Sequence, residues 1–169
     1  MASRLFASLF GSGSLQGPRP QQLVDRNEQE NELSAAEEAL SSLVTELRKS
    51  GADLPTVAYS QFAQITDLLC ALVQHAGKIG ATIEQRVLLA ALSTDYLPTS
   101  LRTYLTLPAV NRASDSPETR LLLEQLAVLH STASTLEGEI HNGSSTELAI
   151  HGRFLQDKFD LGSLLLEDD

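Results

Sequence analysis

Histidine and carboxylate side chains at helical spacing are the first candidates for chemistry in this sequence. Glu137 and His141 follow His130 by seven and eleven residues, which places all three on one side of a helix. A di-iron helical bundle binds its metals with a Glu-x-x-His pair from each of two helices. The sequence contains no Glu-x-x-His, and the three residues flank the leucines of their segment instead of replacing them. We therefore predict neither a metal site nor another cofactor.

Nucleophilic and phosphate-binding motifs are equally weak. The single cysteine, Cys70, lies among apolar residues, where a buried thiol is unreactive, and one cysteine allows no internal disulfide. Around the Gly-Lys pair at 77–78, a leucine stands where a phosphate-binding loop needs its first glycine, and an isoleucine follows where it needs serine or threonine. The sequence predicts a protein without catalytic activity. An enzyme or metalloprotein with a pocket inside a helical bundle is the alternative.

The charge of the chain is strongly acidic and unevenly distributed. Twenty-two Asp and Glu residues oppose twelve Lys and Arg, for a net charge of −10. Residues 1–20 contain Arg4 and Arg19 but no acid. Because the acidic remainder repels phosphate backbones, we expect no nucleic acid partner. The sequence has no apolar run of about 18 residues and no apolar region typical of a secretory signal, so we expect a cytoplasmic protein.

The composition favours helices. Hydrophobic residues make up 42% of the chain and aromatic residues 5%, so leucine and other aliphatic side chains must build the core. Unbranched side chains lose little rotamer freedom in a helix, and the leucines recur every three or four residues. We predict an all-α fold, a mostly antiparallel bundle of four to five long helices with one short proline-delimited helix. The expected organisation is a flexible N-terminal segment (1–20), a helical bundle domain (21–160) and an acidic C-terminal tail (161–169).

Local signals predict where the helices begin and end. Gly51 is expected to cap the first helix, Asp53 the second, and Thr82 with Gln85 forms a capping box at the start of the third. Pro98 should end the third helix, because a proline disfavours the α conformation of the residue before it. The predicted long helices occupy residues 21–49, 53–80, 83 to no further than 97, 117–141 and, last, from 145. Apolar residues of the second and third helices expected to face inward include Ile79, Ile83 and Val87.

The segment between Pro98 and Pro108 is predicted to form the short helix. Such a helix cannot be stable alone in water, so it must pack on its neighbours. Two interpretations remain open for it: a packing elbow, or a recognition surface for a protein partner. The residues of that surface would be Tyr96, Arg102 and Tyr104.

The N-terminal segment contains a short amphipathic peptide followed by a Gly/Ser/Pro linker. Its apolar residues lie at helical spacing and could bind a groove of a partner protein, and with few cations a protein groove is favoured over an anionic membrane surface. A terminus without a binding role is the alternative. The apolar residues are Leu5, Phe6, Leu9 and Phe10.

A family resemblance involves the sequence YLPTSLRTYLTLP, the leucine-rich helix after it and HGRFLQDKF. Together they resemble the XpaC-like bacterial helical proteins, a family named for hydrolysis of a chromogenic indolyl phosphate and sometimes grouped with toxic-anion resistance. The resemblance covers at most residues 55–160, and it implies a helical fold without any assigned catalytic residue. Such proteins often carry an N-terminal membrane segment, for which this sequence has no counterpart. The matching residues are Tyr96, Leu97, Pro98, Leu101, Tyr104 and Leu105, with Phe154 and Phe159.

These observations together favour a non-enzymatic adaptor of the bacterial cytoplasm that binds another protein. The first helix carries six glutamates between Glu28 and Glu46 with no base among them, and it too offers a surface for a partner. Its N-terminal half has few apolar residues, so self-association through this coiled-coil-like helix is a further expectation. A peripheral membrane-associated stress-resistance protein is the remaining alternative.

Overall fold

The structure is a computed structural model that describes residues 20–142 and 155–156, with side chains from residue 26 onwards. Every regular element in these residues is helical, so the predicted all-α fold is confirmed. No helix in this part of the chain is long and apolar enough to cross a membrane. The elements are α1 (Pro20–Lys49), α2 (Thr56–Ile79), α3 (Ile83–Ala91), a π-helical turn (Leu92–Tyr96), α4 (Leu97–Thr106) and α5 (Pro117–Asn142), with 3₁₀ turns at Gly51–Asp53 and Ala109–Arg112.

The helices form a four-membered bundle, because α3, the π turn and α4 continue one another as a single rod. Rods that follow one another in sequence run antiparallel. The rods α2 and α5 are also neighbours but run in the same direction. Gln61, near the start of α2, and His130, in the middle of α5, line one cavity, and the rings of His75 and His141, near the ends of the two helices, stack with centroids 4.3 Å apart.

The core lies along the leucine seams that the sequence predicted. Ala36, Leu40, Leu43 and Leu47 of α1 are at most 4% exposed and pack into one cluster with the seams of α2 and α5. Burying one such leucine stabilises the fold by about 1.5–3 kcal/mol. The predicted last helix lies outside the described residues except for Leu155 and Gln156, which are helical, with Leu155 fully buried.

The third helix ends at Ala91 and the short helix α4 includes Pro98 in its first turn, as predicted. The chain nevertheless stays helical between them, so the expectation that the residue before Pro98 leaves the α conformation is wrong. Leu97, directly before the proline, has φ −70° and ψ −46°, which is α-helical. The π turn precedes it, and the Leu97 amide donates to the carbonyl of Leu92, five residues back. A proline removes one helical hydrogen bond and its ring crowds the preceding turn. The irregular π turn accommodates both demands, so the helix is not interrupted.

The capping predictions are confirmed at α3 and corrected elsewhere. Thr82 Oγ1 accepts a hydrogen bond from the Gln85 amide at 3.3 Å, and the Thr82 amide donates to Gln85 Oε1 at 2.9 Å. Asp53 does not cap α2, because Pro55 occupies the N-cap position and provides no side-chain bond. Gly51 opens a 3₁₀ turn instead of adopting a left-handed cap conformation.

A buried arginine joins α1 to α3. Arg86 is 9% exposed, and its guanidinium donates to Glu32 Oε2 at 3.0 Å and to the Ala81 carbonyl at 3.1 Å. A third, longer hydrogen bond of 3.5 Å reaches Gln29 Oε1. These contacts align residues 29–32 of α1 with the start of α3. Residues 20–28 precede them and add about 13 Å of helix at this end of the bundle.

Gly80, between α2 and α3, has a backbone conformation whose importance for stability can be tested by mutation. Its φ of +84° and ψ of 159° belong to a region that side chains strongly disfavour, although nothing within 4 Å would meet a Cβ atom. We expect Gly80→Ala to lower the free energy of unfolding by about 1–3 kcal/mol through backbone strain alone. Gly138→Ala is the matched control, since Gly138 has equally open space but lies inside α5. It should stabilise by up to about 1 kcal/mol. Equal effects in urea unfolding would contradict this assignment.

Candidate functional site

Three branched aliphatic side chains are exposed where α2 ends and α3 begins. Ile79 is 57% exposed, Ile83 65% and Val87 55%. We call these three residues the corner patch. All three were expected to face inward, and the structure corrects that prediction. Ile83 and Val87 lie one turn apart on α3, so their side chains are neighbours, and Ile79 is the last residue of α2, four positions earlier.

The corner patch is exposed because polar residues take the inner face of α3. Gln85 is 2% exposed and Arg86 9%, and they share this face with Leu88 and Leu89. At 100° per residue, Ile83 and Val87 lie on the opposite side of the helix. The start of α3 is therefore amphipathic in the reverse sense, with polar side chains inside and apolar ones outside.

The exposed side chains of the corner patch do not stabilise the fold. β-branched residues are weaker helix formers than alanine or leucine, and exposed ones bury no apolar area against the bundle. Single exposed apolar residues occur on most proteins and need no explanation. The corner patch differs because Ile83 and Val87 are neighbours on one helix and Ile79 lies just before them in the chain. The other large exposed apolar side chains of the described residues are Val57, Val110 and Leu121.

The predicted recognition surface on α4 is only partly available. Arg102 is exposed and Tyr96 is partly buried against the core. Tyr104 is 3% exposed, so its assignment to a partner surface is corrected. Its hydroxyl donates to the Arg112 carbonyl at 3.1 Å and lies 2.6 Å from Thr119 Oγ1. These contacts match the alternative interpretation of a packing elbow, which attaches α4 to α5.

The N-terminal residues predicted to bind a partner lie outside the described part of the chain. Their role therefore stays a prediction. They are Leu5, Phe6, Leu9 and Phe10.

The histidines considered for metal binding point to different places. His130 lines a cavity between α2 and α5, whereas His141 stacks on His75 and hydrogen-bonds through Nδ1 to the Glu137 carbonyl at 2.8 Å. Eleven residues of helix separate His130 from His141, about 16 Å along the axis. Among the residues with described side chains, no three His, Cys, Asp or Glu could hold a metal ion together.

The cavity beside His130 has a volume of about 220 Å³ and is open to solvent on one side. Ile65 and Leu126 are the buried apolar residues of its lining, and Gln61 and Gln64 join His130 as polar ones. Gln61 Oε1 is buried and has no hydrogen-bond partner in the described structure. A small polar molecule could be held there, but the lining pairs no nucleophile with a general base.

Cys70 is half-buried on α2, less enclosed than the sequence suggested. Burial raises the pKa of its thiol above the usual range, and the nearby carboxylates of Asp67 and Glu37 raise it further. A thiol with a raised pKa is protonated at neutral pH and is a poor nucleophile. This environment agrees with the prediction that Cys70 is unreactive.

No protein-family model, curated protein or solved structure matches this chain.

The hydroxyl of Tyr104 should contribute measurably to stability. Tyr104→Phe removes a buried group that contacts Thr119 and the Arg112 carbonyl, and we expect a loss of about 1–2 kcal/mol in free energy of unfolding. Tyr59→Phe is the control, because the Tyr59 hydroxyl makes no hydrogen bond within the described residues. It should change stability by less than about 0.5 kcal/mol. A neutral Tyr104→Phe in thermal and urea unfolding would argue against the packing elbow.

The reactivity of Cys70 should respond to its acidic neighbours. Asp67→Asn and Glu37→Gln each remove a negative charge that raises the thiol pKa. At pH 8 each should therefore increase the thiolate fraction and accelerate iodoacetamide alkylation, by about two-fold. Asp115→Asn, in the exposed loop before α5, should leave the rate unchanged. Slower alkylation in Asp67→Asn would contradict the placement of these groups, and mass spectrometry of timed samples measures the rate.

Proposed function

We propose that this protein is a non-enzymatic adaptor that binds a protein partner through the corner patch. The observation that carries the proposal is the reversed amphipathicity of α3. Arg86 and Gln85 occupy its inner face while Ile83 and Val87 are exposed. Exposed apolar groups that adjoin one another on an otherwise well-packed domain are typical of interaction sites.

The size of the corner patch indicates what kind of partner fits it. Burying the exposed fractions of its three side chains would contribute on the order of 4 kcal/mol before the costs of association. Association itself costs at least about 4 kcal/mol, so these side chains alone give no stable complex. Glu84 is exposed beside the patch, and backbone and Thr82 hydrogen bonds lower the pKa of its carboxyl, so it is anionic at neutral pH. An amphipathic helix that also carries lysine or arginine would complement both features.

We further propose that the protein is located in the bacterial cytoplasm. Self-association through the acidic first helix is proposed as a secondary activity. The resemblance to XpaC-like proteins supports a bacterial helical protein, and Leu97 and Leu101 from the resembling segment are fully buried here. The half-buried, protonated thiol of Cys70 suits a reducing compartment. Arg102 and Tyr96 stay as proposed contributors to a second contact on α4.

An enzyme or metalloprotein is the second candidate, and the cavity between α2 and α5 favours it. Its unpartnered Gln61 Oε1 is an acceptor that a bound molecule could satisfy. The cavity is open on one side and brings only one ionisable side chain, His130, into its lining. Iron, manganese or zinc near one atom per chain in the purified protein would favour this candidate over the adaptor.

The adaptor proposal is tested by replacing the corner patch in the full chain. Ile83→Ser with Val87→Ser should abolish capture of specific proteins from a bacterial lysate, because it removes the apolar contact and leaves the core intact. Val57→Ser with Val110→Ser is the matched control, since these side chains are 58% and 76% exposed elsewhere on the fold. It should capture as the unchanged protein does. Identical protein bands from both double variants, at unchanged melting temperatures, would refute binding through the patch.

A further inference from the structure

We infer that the corner patch is occupied in cis by the apolar segment at residues 5–10 when no partner is bound. This inference rests on the proposed function, since it concerns the same surface and describes its regulation. Leu5, Phe6, Leu9 and Phe10 recur at helical spacing, as a short helix needs in order to pack on Ile83 and Val87. A partner would then have to displace the chain's own N-terminal segment.

The path of α1 places the N-terminal segment within reach of the patch. Gln29 of α1 contacts Arg86, which lies between Ile83 and Val87 in the sequence. From Gln29 the helix extends back to Pro20, about 14 Å away. The intervening linker, residues 11–19, reads GSGSLQGPR. A Gly/Ser-rich linker of nine residues has an average span of about 15–18 Å and a maximum near 30 Å. The segment can therefore return along α1 to the corner.

Charge complementarity favours this occupant. The first twenty residues carry Arg4 and Arg19 and no acid, while the rest of the chain holds all twenty-two acidic residues. Arg4 directly precedes the apolar segment, and Glu84 is exposed beside the patch. The apolar segment with Arg4 thus complements the apolar corner patch with Glu84. The corner patch of a second copy is less suited as the occupant, because it would bring a second exposed Glu84 to the same contact, where the two carboxylates repel.

Tethering makes even a weak contact effective. A short flexible linker gives the segment an effective concentration in the millimolar range at its own patch. A contact with an intrinsic Kd of about 1 mM would then be occupied roughly half of the time. Such partial occupancy is suited to regulation, because a partner of micromolar affinity displaces the segment readily. The N-terminal residues would lower the apparent affinity of the patch without blocking it.

Paramagnetic broadening in the full-length protein tests the inference directly. A nitroxide on Ser8→Cys, in a Cys70→Ala background, should reduce the amide signals of residues 79–90 at least two-fold and leave residues 50–60 unaffected. Adding Ile83→Ser with Val87→Ser should restore the signals, whereas Val57→Ser with Val110→Ser should not. Absence of broadening at 79–90, or equal broadening over the whole bundle, would overturn the inference.

Two further measurements separate this inference from its rivals. Broadening in an equimolar mixture of nitroxide-labelled protein and unlabelled ¹⁵N protein would show that a second copy supplies the segment, which overturns occupancy in cis. Deleting residues 1–18 should increase capture by the patch about two-fold, and unchanged or lower capture would overturn regulation by the segment. If the patch variants leave lysate capture unaltered while the broadening is present, the adaptor proposal fails and the intramolecular contact stands.

Discussion

The buried guanidinium of Arg86 fixes the relation between α1 and α3, and the surface features of this corner depend on it. Its bonds to Glu32 and to the Ala81 carbonyl join a helix from the first third of the chain to the start of the third rod. These bonds turn one side of α3 toward the core. Gln85, Leu88 and Leu89 share the inward side with Arg86. Ile83 and Val87 lie about 160° from Gln85 around the helix, so they face solvent.

The burial of Arg86 is better explained by its effect on the orientation of α3 than by a gain in stability. Placing a guanidinium in a site that is only 9% exposed carries a desolvation cost, which its ion pair and hydrogen bonds offset. Well-packed apolar residues in such a place are often equally stable or more so. What the arginine adds is specificity, because only one rotation of α3 brings Arg86 to Glu32 while Gln85 completes its capping box with Thr82. The same specificity keeps the corner patch on the outside.

The sequence predicted the features that depend on local periodicity and caps. The seam from Ala36 to Leu47 was recognisable because it repeats over several turns, and the Thr82–Gln85 box because its partners lie three residues apart. Long-range pairing was invisible. Arg86 meets Glu32 across 54 positions, and α3 has nine residues, too few for periodicity to identify its inner face. The expectation that Leu97 leaves the α conformation before Pro98 failed for a different reason. No sequence rule predicts the π turn that precedes the proline.

The sequence did not predict the corner patch, because its apolar residues were expected in the core. Their exposure is also what suggests a binding role. Hydrophobicity alone predicts that isoleucine and valine are buried. The exposed patch becomes evident only when the polar residues on the inner face of α3 are known. The two ends of the bundle differ in the hydrogen bonds that join their connections. At one end, the Arg112 guanidinium donates to the Asp53 and Leu107 carbonyls and Tyr104 contacts Thr119, which joins the α1–α2 connection to the α4–α5 connection. At the other end, residues 26–32 of α1 are all polar, and Gln29 and Glu32 among them contact Arg86 beside the corner patch. Val57 and Val110 are exposed at the hydrogen-bonded end as single residues of different elements, whereas Ile83 and Val87 are neighbours on one helix, and the buried seams continue beneath both ends.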